Sequence, residues 1–179
     1  MELLFNIYRA TSFFKRRSRR IIFNSIIRKK TNVSIIGKVT VINRNIQIGN
    51  NVTIYPDVMF FGDGPIKIGN GVTLGNGTII YASKNAGVSI GDDTQIAAQC
   101  YIIDMDHGIR ADHKIREQSN SISAVFIGND CWLGANVSVL KGSLINDGAI
   151  IGAKSLVKGE VPSDSICVGV PCKVIKYRG

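Results

Sequence analysis

From residue 36 onward the sequence repeats with a period of six residues, and this period restricts the fold more than any other feature of the chain. Seventeen positions in this register are apolar, namely Ile36, Ile42, Ile48, Ile54, Phe60, Ile68, Leu74, Ile80, Ile90, Ile96, Ile102, Ile127, Leu133, Val139, Ile145, Ile151 and Val157. A smaller residue, such as Thr94, usually follows four residues later. A period of six fits neither the helical period of 3.6 nor the alternation of a hairpin sheet. We therefore expect a coil of short strands whose aliphatic side chains point inward and stack from one turn to the next.

The repeat is interrupted at three places, and the interruptions are regularly placed. With three hexads per turn, turns begin near residues 30, 48, 68, 90, 127 and 145, and each interruption falls in the third hexad of its turn. The three insertions, of which 103–126 is the longest, should therefore project from one edge of the coil and form a candidate functional face. Glycine often follows the inward aliphatic residue, as at Gly69 and Gly91, where we expect a sharp turn of the backbone.

The positive charge of the chain is concentrated at its N-terminus. The net charge is +9, yet residues 1–30 hold nine Lys or Arg against Glu2 alone, and the remaining residues are almost neutral. Leu3, Leu4, Ile7 and Phe14 can share one face of a helix, and Ile22 and Ile26 another. We interpret residues 1–30 as a short basic amphipathic helix that either packs on its own domain or on a partner subunit, or lies on an anionic membrane surface. Nucleic acid is a third partner class for such charge, which we disfavour because the rest of the chain is neutral.

The four cysteines show no metal-finger or redox-motif spacing. Cys100 and Cys131 fall on small corner positions of the repeat, so we interpret them as packing residues. An unpaired, reduced set of cysteines is typical of the cytoplasm.

Three stretches carry a resemblance to a known family. They are Ile90 to His107, which ends in Asp-Met-Asp-His, then Ile-Gly-Asn-Asp-Cys-Trp-Leu-Gly-Ala at 127–135, and Gly-Val-Pro-Cys-Lys-Val-Ile at 169–175. With the repeat, they resemble the hexapeptide-repeat acyltransferases, in particular the branch of maltose, galactoside and polysaccharide O-acetyltransferases. The resemblance implies an all-β, left-handed parallel β-helix over residues 31–176, with a tail at 177–179. It also implies a homotrimer with sites between subunits, acetyl-CoA as donor and no required metal.

His107 is the candidate catalytic base on two grounds. It lies where the repeat breaks and the longest insertion begins, and acetyl transfer from a thioester to a hydroxyl needs a base of near-neutral pKa. The family places its catalytic histidine at the same distance along the chain from the first isoleucine of this turn, so the resemblance implies that role for His107. It also implies direct transfer without an acyl-enzyme. We find no clear counterpart of the asparagine that those enzymes use beside this histidine.

The resemblance also implies the residues around the two substrates. Asp104 and Asp106 alternate towards His107 and could orient the imidazole or bind sugar hydroxyls, with a solvated loop entry as the alternative. Asn85 stands where some relatives carry an acceptor-binding Asp. The predicted donor-binding residues are Trp132, Gly134, Ala135, Ala153, Lys158, Gly159, Lys173 and Lys176.

These observations predict a cytoplasmic, acetyl-CoA-dependent O-acetyltransferase acting on a saccharide or lipid-linked saccharide in surface polysaccharide biosynthesis, with peripheral contact at the inner face of the membrane as an open option. An N-acetyltransferase of an amino sugar would need much the same base and donor site. A non-catalytic β-helix scaffold is a further alternative, although it would not need the Asp-Met-Asp-His break. A metal enzyme like the γ-class carbonic anhydrases would need three histidines per site, and this chain has only His107 and His113.

Overall fold

The computed structural model describes the backbone of residues 2–179 and the side chains of residues 14–179. The apolar face predicted from Leu3, Leu4 and Ile7 lies outside the described side chains. One helix, α1 (Glu2–Ile26), precedes twenty-two strands. In chain order the strands are β1 (Val33–Ile35), β2 (Val39–Val41), β3 (Ile46–Ile48), β4 (Val52–Ile54), β5 (Val58–Gly62), β6 (Ile66–Ile68), β7 (Thr73–Leu74), β8 (Ile79–Ala82), β9 (Val88–Ile90), β10 (Gln95–Ile96), β11 (Tyr101–Ile103), β12 (Met105–Asp106), β13 (Ser121–Ile122), β14 (Val125–Ile127), β15 (Trp132–Leu133), β16 (Ser138–Val139), β17 (Leu144–Ile145), β18 (Ile150–Ile151), β19 (Leu156–Val157), β20 (Glu160–Val161), β21 (Ser165–Gly169) and β22 (Cys172–Tyr177).

The strands form the three faces of a prism that the chain visits in turn. Sheet A has the order β1-β4-β7-β10-β15-β18-β21-β22, sheet B the order β2-β5-β8-β11-β16-β19, and sheet C the order β3-β6-β9-β14-β17-β20. Every pairing within these sheets is parallel except the last, in which β22 folds back antiparallel on β21. The fold is the predicted left-handed parallel β-helix, with about seven turns.

The interior is a set of aliphatic ladders that run along the prism. Ile54, Leu74, Ile96, Leu133 and Ile151 occupy matching positions of successive strands in sheet A. Fifteen of the seventeen predicted inward positions are buried, the exceptions being Ile36 and Ile42. Each buried Ile or Leu contributes about 1.5–3 kcal/mol before the cost of ordering the chain, so stability accumulates between neighbouring turns.

The corners explain the small residues and the glycines. Cys100 and Cys131 are buried at corners, where burial raises the pKa of both thiols, as expected of packing residues. Gly69 and Gly91 do not have the positive φ that a sharp turn would require. They are needed for another reason: a Cβ on Gly91 would lie 2.6 Å from the carbonyl carbon of Gly128 in the next turn. Close stacking, rather than turn conformation, requires glycine there.

The first turn departs from the predicted register by one residue. Ile35 and Val41, not Ile36 and Ile42, take the inward positions, because Ile35 pairs with Ile54 and Val41 with Phe60. The extra residue is accommodated at Asn43, which is fully buried and donates from Nδ2 to the carbonyl oxygens of Phe61 (3.2 Å) and Gly64 (2.8 Å). Ile42 is consequently 60% exposed.

Helix α1 lies within residues 1–30, the segment predicted to be helical, and its last turns cover the open end of the prism. Phe23 and Ile27 are buried against the core, and the Phe23 ring lies 6.3 Å from that of Phe60. Asn24 and Thr31 exchange two hydrogen bonds that fix the turn after the helix. Among the described residues, α1 included, there is no helical stretch with the length and hydropathy that a membrane span requires.

The residues that the sequence analysis assigned to a tail are part of the ordered structure at the opposite end. Tyr177 lies within β22, and Arg178 donates from Nη1 to the Gly148 carbonyl oxygen (2.9 Å) and to Asp130 Oδ2 (3.0 Å). Sheet A therefore extends one residue beyond residue 176, through the antiparallel strand β22.

The shifted first turn predicts opposite effects at two neighbouring isoleucines. Ile35→Ala should lower the free energy of unfolding by about 2–5 kcal/mol, because Ile35 is only 2% exposed and its loss leaves a cavity. Ile42→Ala should cost under about 0.5 kcal/mol. Urea unfolding followed by circular dichroism measures both, and a larger loss for Ile42→Ala would restore the register predicted from the sequence.

Candidate functional site

The three insertions leave the prism at the edge between sheets B and C, as predicted. They comprise residues 63–65 after β5, 83–87 after β8 and 104–124 after β11. We refer to residues 104–124 as the arm. It is shorter than the loop predicted at 103–126, because β11 ends at Ile103 and β14 begins at Val125. In a three-sided prism this edge lies opposite sheet A.

The arm is an ordered structure rather than an open loop. β12 and β13 pair antiparallel at its base, with Met105 opposite Ile122 and Asp106 opposite Ser121. Further out, Gln118 accepts a hydrogen bond from the Arg110 backbone N–H (2.8 Å) and donates to the Arg110 carbonyl oxygen (2.9 Å). At the tip, the Asp112 carboxylate accepts hydrogen bonds from Arg110 and His113. These contacts lower the pKa of Asp112, and the contact with Arg110 has the larger effect.

His107 is the first residue after β12, on the exposed side of the arm. Its Nδ1 lies 3.1 Å from Oδ1 of Asn120, which immediately precedes β13. The Asn120 amide nitrogen is directed at the Met105 sulfur, 3.5 Å away, which leaves Oδ1 facing the ring. An accepting Oδ1 favours the tautomer with the proton on Nδ1, and Nε2 then carries a free lone pair. Sequence analysis missed Asn120, because only the pairing of β12 with β13 brings it to His107.

Asp104 has a different environment from the one predicted for a sugar ligand. Its side chain is fully buried, and its carboxylate accepts hydrogen bonds from the Ser83 N–H (2.7 and 2.9 Å), the Ser83 hydroxyl (2.8 Å) and the Gly87 N–H (2.7 Å). These bonds tie insertion 83–87 to the base of the arm. We therefore correct the predicted role of Asp104: it anchors a loop, and a saccharide cannot reach its carboxylate.

Asp106 and Asn85 remain accessible. The Asp106 side chain is 51% exposed and lies 3.7 Å from Nζ of Lys141, which also donates to the Ser121 hydroxyl (2.9 Å). Lys141, a second residue that the sequence analysis missed, thus braces the base of the arm from the next turn. Asn85 is exposed at the tip of the insertion that Asp104 holds.

The residues predicted to bind the donor fall in three places. Trp132, Lys173 and Lys176 belong to sheet A, and Trp132 is 55% exposed. Gly134, Ala135 and Ala153 lie at the corner between sheets A and B. Lys158 and Gly159 lie at the edge between sheets B and C, from which the arm also projects. Within one chain, the sheet A group therefore occupies the face opposite the edge that carries His107.

Comparisons with known proteins agree with this architecture. The family described as bacterial transferase hexapeptide (six repeats) matches residues 124–159, and the hexapeptide repeat of succinyl-transferase matches residues 65–103. Among solved structures, the N-acyltransferase AntD of Bacillus cereus, in complex with dTDP and 3-hydroxybutyryl-CoA, superposes with a TM-score of 0.72 at 23% identity, covering 84% of this chain and 82% of AntD. That likeness concerns the fold.

Three relatives extend the comparison to sequence. A probable acetyltransferase of Mycobacterium tuberculosis, Rv3034c, is 38% identical over 76% of this chain and 44% of its own length. WbbJ of Escherichia coli, named for lipopolysaccharide biosynthesis O-acetyl transfer, is 37% identical over 65% of this chain and 62% of its own. WcaF of the same species, named for acetyl transfer in colanic acid biosynthesis, is 30% identical over 74% of this chain and 69% of its own.

The family matches and the sequence relatives together identify the class of protein. The chain belongs to the hexapeptide-repeat acetyltransferase family. It spans about half to two thirds of the length of the first two relatives described above.

The anchoring role of Asp104 is testable by one atom's change. Asp104→Asn replaces an accepting oxygen by an NH₂ group that faces the N–H donors of Ser83 or Gly87, so a buried donor is left unpaired at a cost of about 1–3 kcal/mol. Asp106→Asn is the matched control, because its side chain is half exposed. Thermal unfolding and amide exchange at Ser83 and Gly87 report the change; equal effects of the two variants would contradict the anchor.

Proposed function

We propose that the protein transfers an acetyl group from acetyl-CoA to a hydroxyl of a saccharide, with His107 as general base. The single observation that carries this proposal is the contact between His107 Nδ1 and Asn120 Oδ1, on an arm that projects from the β-helix. The name of WbbJ supports transfer to oxygen in lipopolysaccharide biosynthesis, and that of WcaF supports acetyl transfer in colanic acid biosynthesis. The proposed acceptor is therefore a surface polysaccharide or its lipid-linked precursor, reached from the cytoplasm. Transfer to an amino sugar would use the same base.

The reaction follows from the tautomer that Asn120 favours. With Nδ1–H donated to Asn120, the Nε2 lone pair accepts the proton of the acceptor hydroxyl while the oxygen attacks the thioester carbonyl. The tetrahedral intermediate then expels the CoA sulfur, which takes the proton from Nε2–H, so His107 returns to its starting state. The proposed contacts for the saccharide are Asp106 and Asn85. Both are exposed on the edge between sheets B and C, from which the arm with His107 projects.

We further propose that each site is completed by a neighbouring copy of the chain, in a homotrimer. Trp132, Lys173 and Lys176 lie on sheet A, opposite the edge of the arm, so the arm of one subunit and sheet A of its neighbour can enclose one CoA. The exposed indole of Trp132 offers an aromatic face, and the two lysines offer positive charge for the phosphates of the nucleotide. The residues that would contact the pantetheine chain of CoA are Gly134, Ala135, Ala153, Lys158 and Gly159.

Substitution of the base tests the proposal. His107→Ala should lower the rate about 10²–10⁴-fold, the usual contribution of a general base, while the thermal midpoint stays unchanged because the side chain is exposed. Asn120→Ala should lower the rate less, through kcat rather than KM. CoA release with a panel of hydroxyl sugars and amino sugars is the readout. Full activity of folded His107→Ala would refute its role, and no CoA release with any acceptor would favour the scaffold alternative.

Complementation between two inactive variants tests the shared site. If base and donor contacts come from different chains, a co-expressed mixture of His107→Ala and Trp132→Ala should regain activity at about a quarter of its sites by random assembly. Each variant alone supplies the control. A mixture no more active than its components would place both groups in one chain.

A further inference from the structure

The N-terminal end of the prism carries positive charge that nothing in the described chain neutralises. No acidic residue occurs between Glu2 and Asp57, a span that contains Arg9, Lys15, Arg16, Arg17, Arg19, Arg20, Arg28, Lys29, Lys30, Lys38 and Arg44. Among the described residues, every ion pair lies between Asp106 and Arg178. The charge is therefore available to an external anion.

This charge is held on a rigid support. The end of α1 is fixed by the buried Phe23 and Ile27, by the paired Asn24 and Thr31, and by Arg19, whose Nη1 donates to the Ile36 carbonyl oxygen. The arginines of the preceding turns thus have a defined place over the first turns of sheet A. Little ordering of backbone is needed when a ligand binds there.

Three arginines form one wall of a groove of about 430 Å³ between α1 and sheet A. They are Arg16, Arg17 and Arg20; of these, Arg20 spends one donor on Asn32 Oδ1 (3.1 Å), and the guanidinium groups of Arg16 and Arg17 contact no acceptor among the described residues. The facing wall contains Ser34 and Thr53, which are register partners on β1 and β4 and point outward between buried neighbours. Guanidinium forks beside hydroxyl groups are the donor set that binds phosphate oxygens in bidentate fashion.

The other side of the same helix is mainly apolar, with Arg19 and Lys38 at its border. Ile22 and Ile26 line a second groove of about 280 Å³ with Val39 and Val41, and Ile22 is 61% exposed. Ile21 is also exposed, at 60%. A ligand that places a phosphate beside the arginines and hydrocarbon beside the isoleucines is an amphiphile, which distinguishes it from a nucleic acid.

We propose that the groove between α1 and sheet A binds the phosphate of a lipid, either of an anionic phospholipid headgroup or of a lipid-linked mono- or diphosphate. The phosphate lies between Arg16 and Arg17, with Ser34 and Thr53 donating from the opposite wall. The apolar groove then faces the acyl region, and α1 lies at the level of the headgroups. This inference is independent of acetyl transfer, since no residue of the groove belongs to the proposed active site.

The experiment uses the full chain, two double variants, one single variant, two probes and a DNA duplex for comparison. Arg16→Gln with Arg17→Gln removes groove charge without breaking a described contact, and Arg44→Gln with Lys67→Gln removes the same charge at sheet C and its edge. The probes are inorganic pyrophosphate, measured by calorimetry, and vesicles of phosphatidylcholine with or without phosphatidylglycerol, measured by co-sedimentation. Ile22→Ser tests the apolar side. Acetyl transfer to a soluble acceptor, followed in parallel, should be the same in all variants.

We expect the wild type to sediment with phosphatidylglycerol vesicles and not with pure phosphatidylcholine. The groove variant should bind about thirtyfold more weakly, since each Lys or Arg near an anionic surface contributes about a fivefold factor. The charge-matched control should stay within about threefold of the wild type, and Ile22→Ser should weaken vesicle binding alone. Groove-dependent binding of pyrophosphate without vesicle binding would assign the site to a linked diphosphate rather than a headgroup. Equal losses in both double variants, or tighter binding to a DNA duplex than to either probe, would overturn the proposal.

Discussion

Every other feature of this protein depends on the close parallel stacking of one turn of the chain on the next. No turn can cover its own aliphatic side chains, so Ile96 is shielded by Leu74 on one side and Leu133 on the other. The turns approach so closely that Gly91 has no room for a Cβ against Gly128. A chain under this constraint can lengthen only at corners, where strands end and side chains leave the stack. Insertions, and with them chemistry, are confined to the edges of the prism.

The same constraint explains how much the sequence could predict. One aliphatic residue in every six is buried, and this pattern recurs along the whole prism. The strands, the sheets and the edge that carries the insertions therefore follow from the period alone. The period fails at the first turn, where a helix rather than another turn covers the core. There the buried Asn43 absorbs one residue and turns Ile42 outward, and periodicity carries no signal for such an event.

Site residues were harder to predict because they lie where the period stops. The alternation of Asp104 and Asp106 suggested one shared side, yet Asp104 ends the stacked part of the chain and is enclosed by the neighbouring insertion. Asn120 lies thirteen residues from His107, and no local spacing relates the two. Their contact depends on an antiparallel pairing of two-residue strands, which sequence patterns rarely specify. His107 itself was recognisable because the break in the repeat and the family motif coincide at it.

The N-terminal helix joins two alternatives that the sequence had separated. A helix packed on its own domain and a helix on a membrane compete for one apolar face when only the sequence is considered. Among the described side chains, Phe23 and Ile27 are buried against the prism, which leaves Ile21, Ile22 and the arginines on other sides of the helix. Packing of the helix on the prism also favours contact with a membrane, since it fixes the arginines relative to sheet A. In the proposed trimer, three such helices would cap the same end of three prisms, so the assembly would carry three basic grooves. Binding through several linked sites strengthens attachment well beyond that of a single groove. The arms rise from the fourth turn of each prism, so each groove would lie at a fixed distance along the prism from the arm of the same chain.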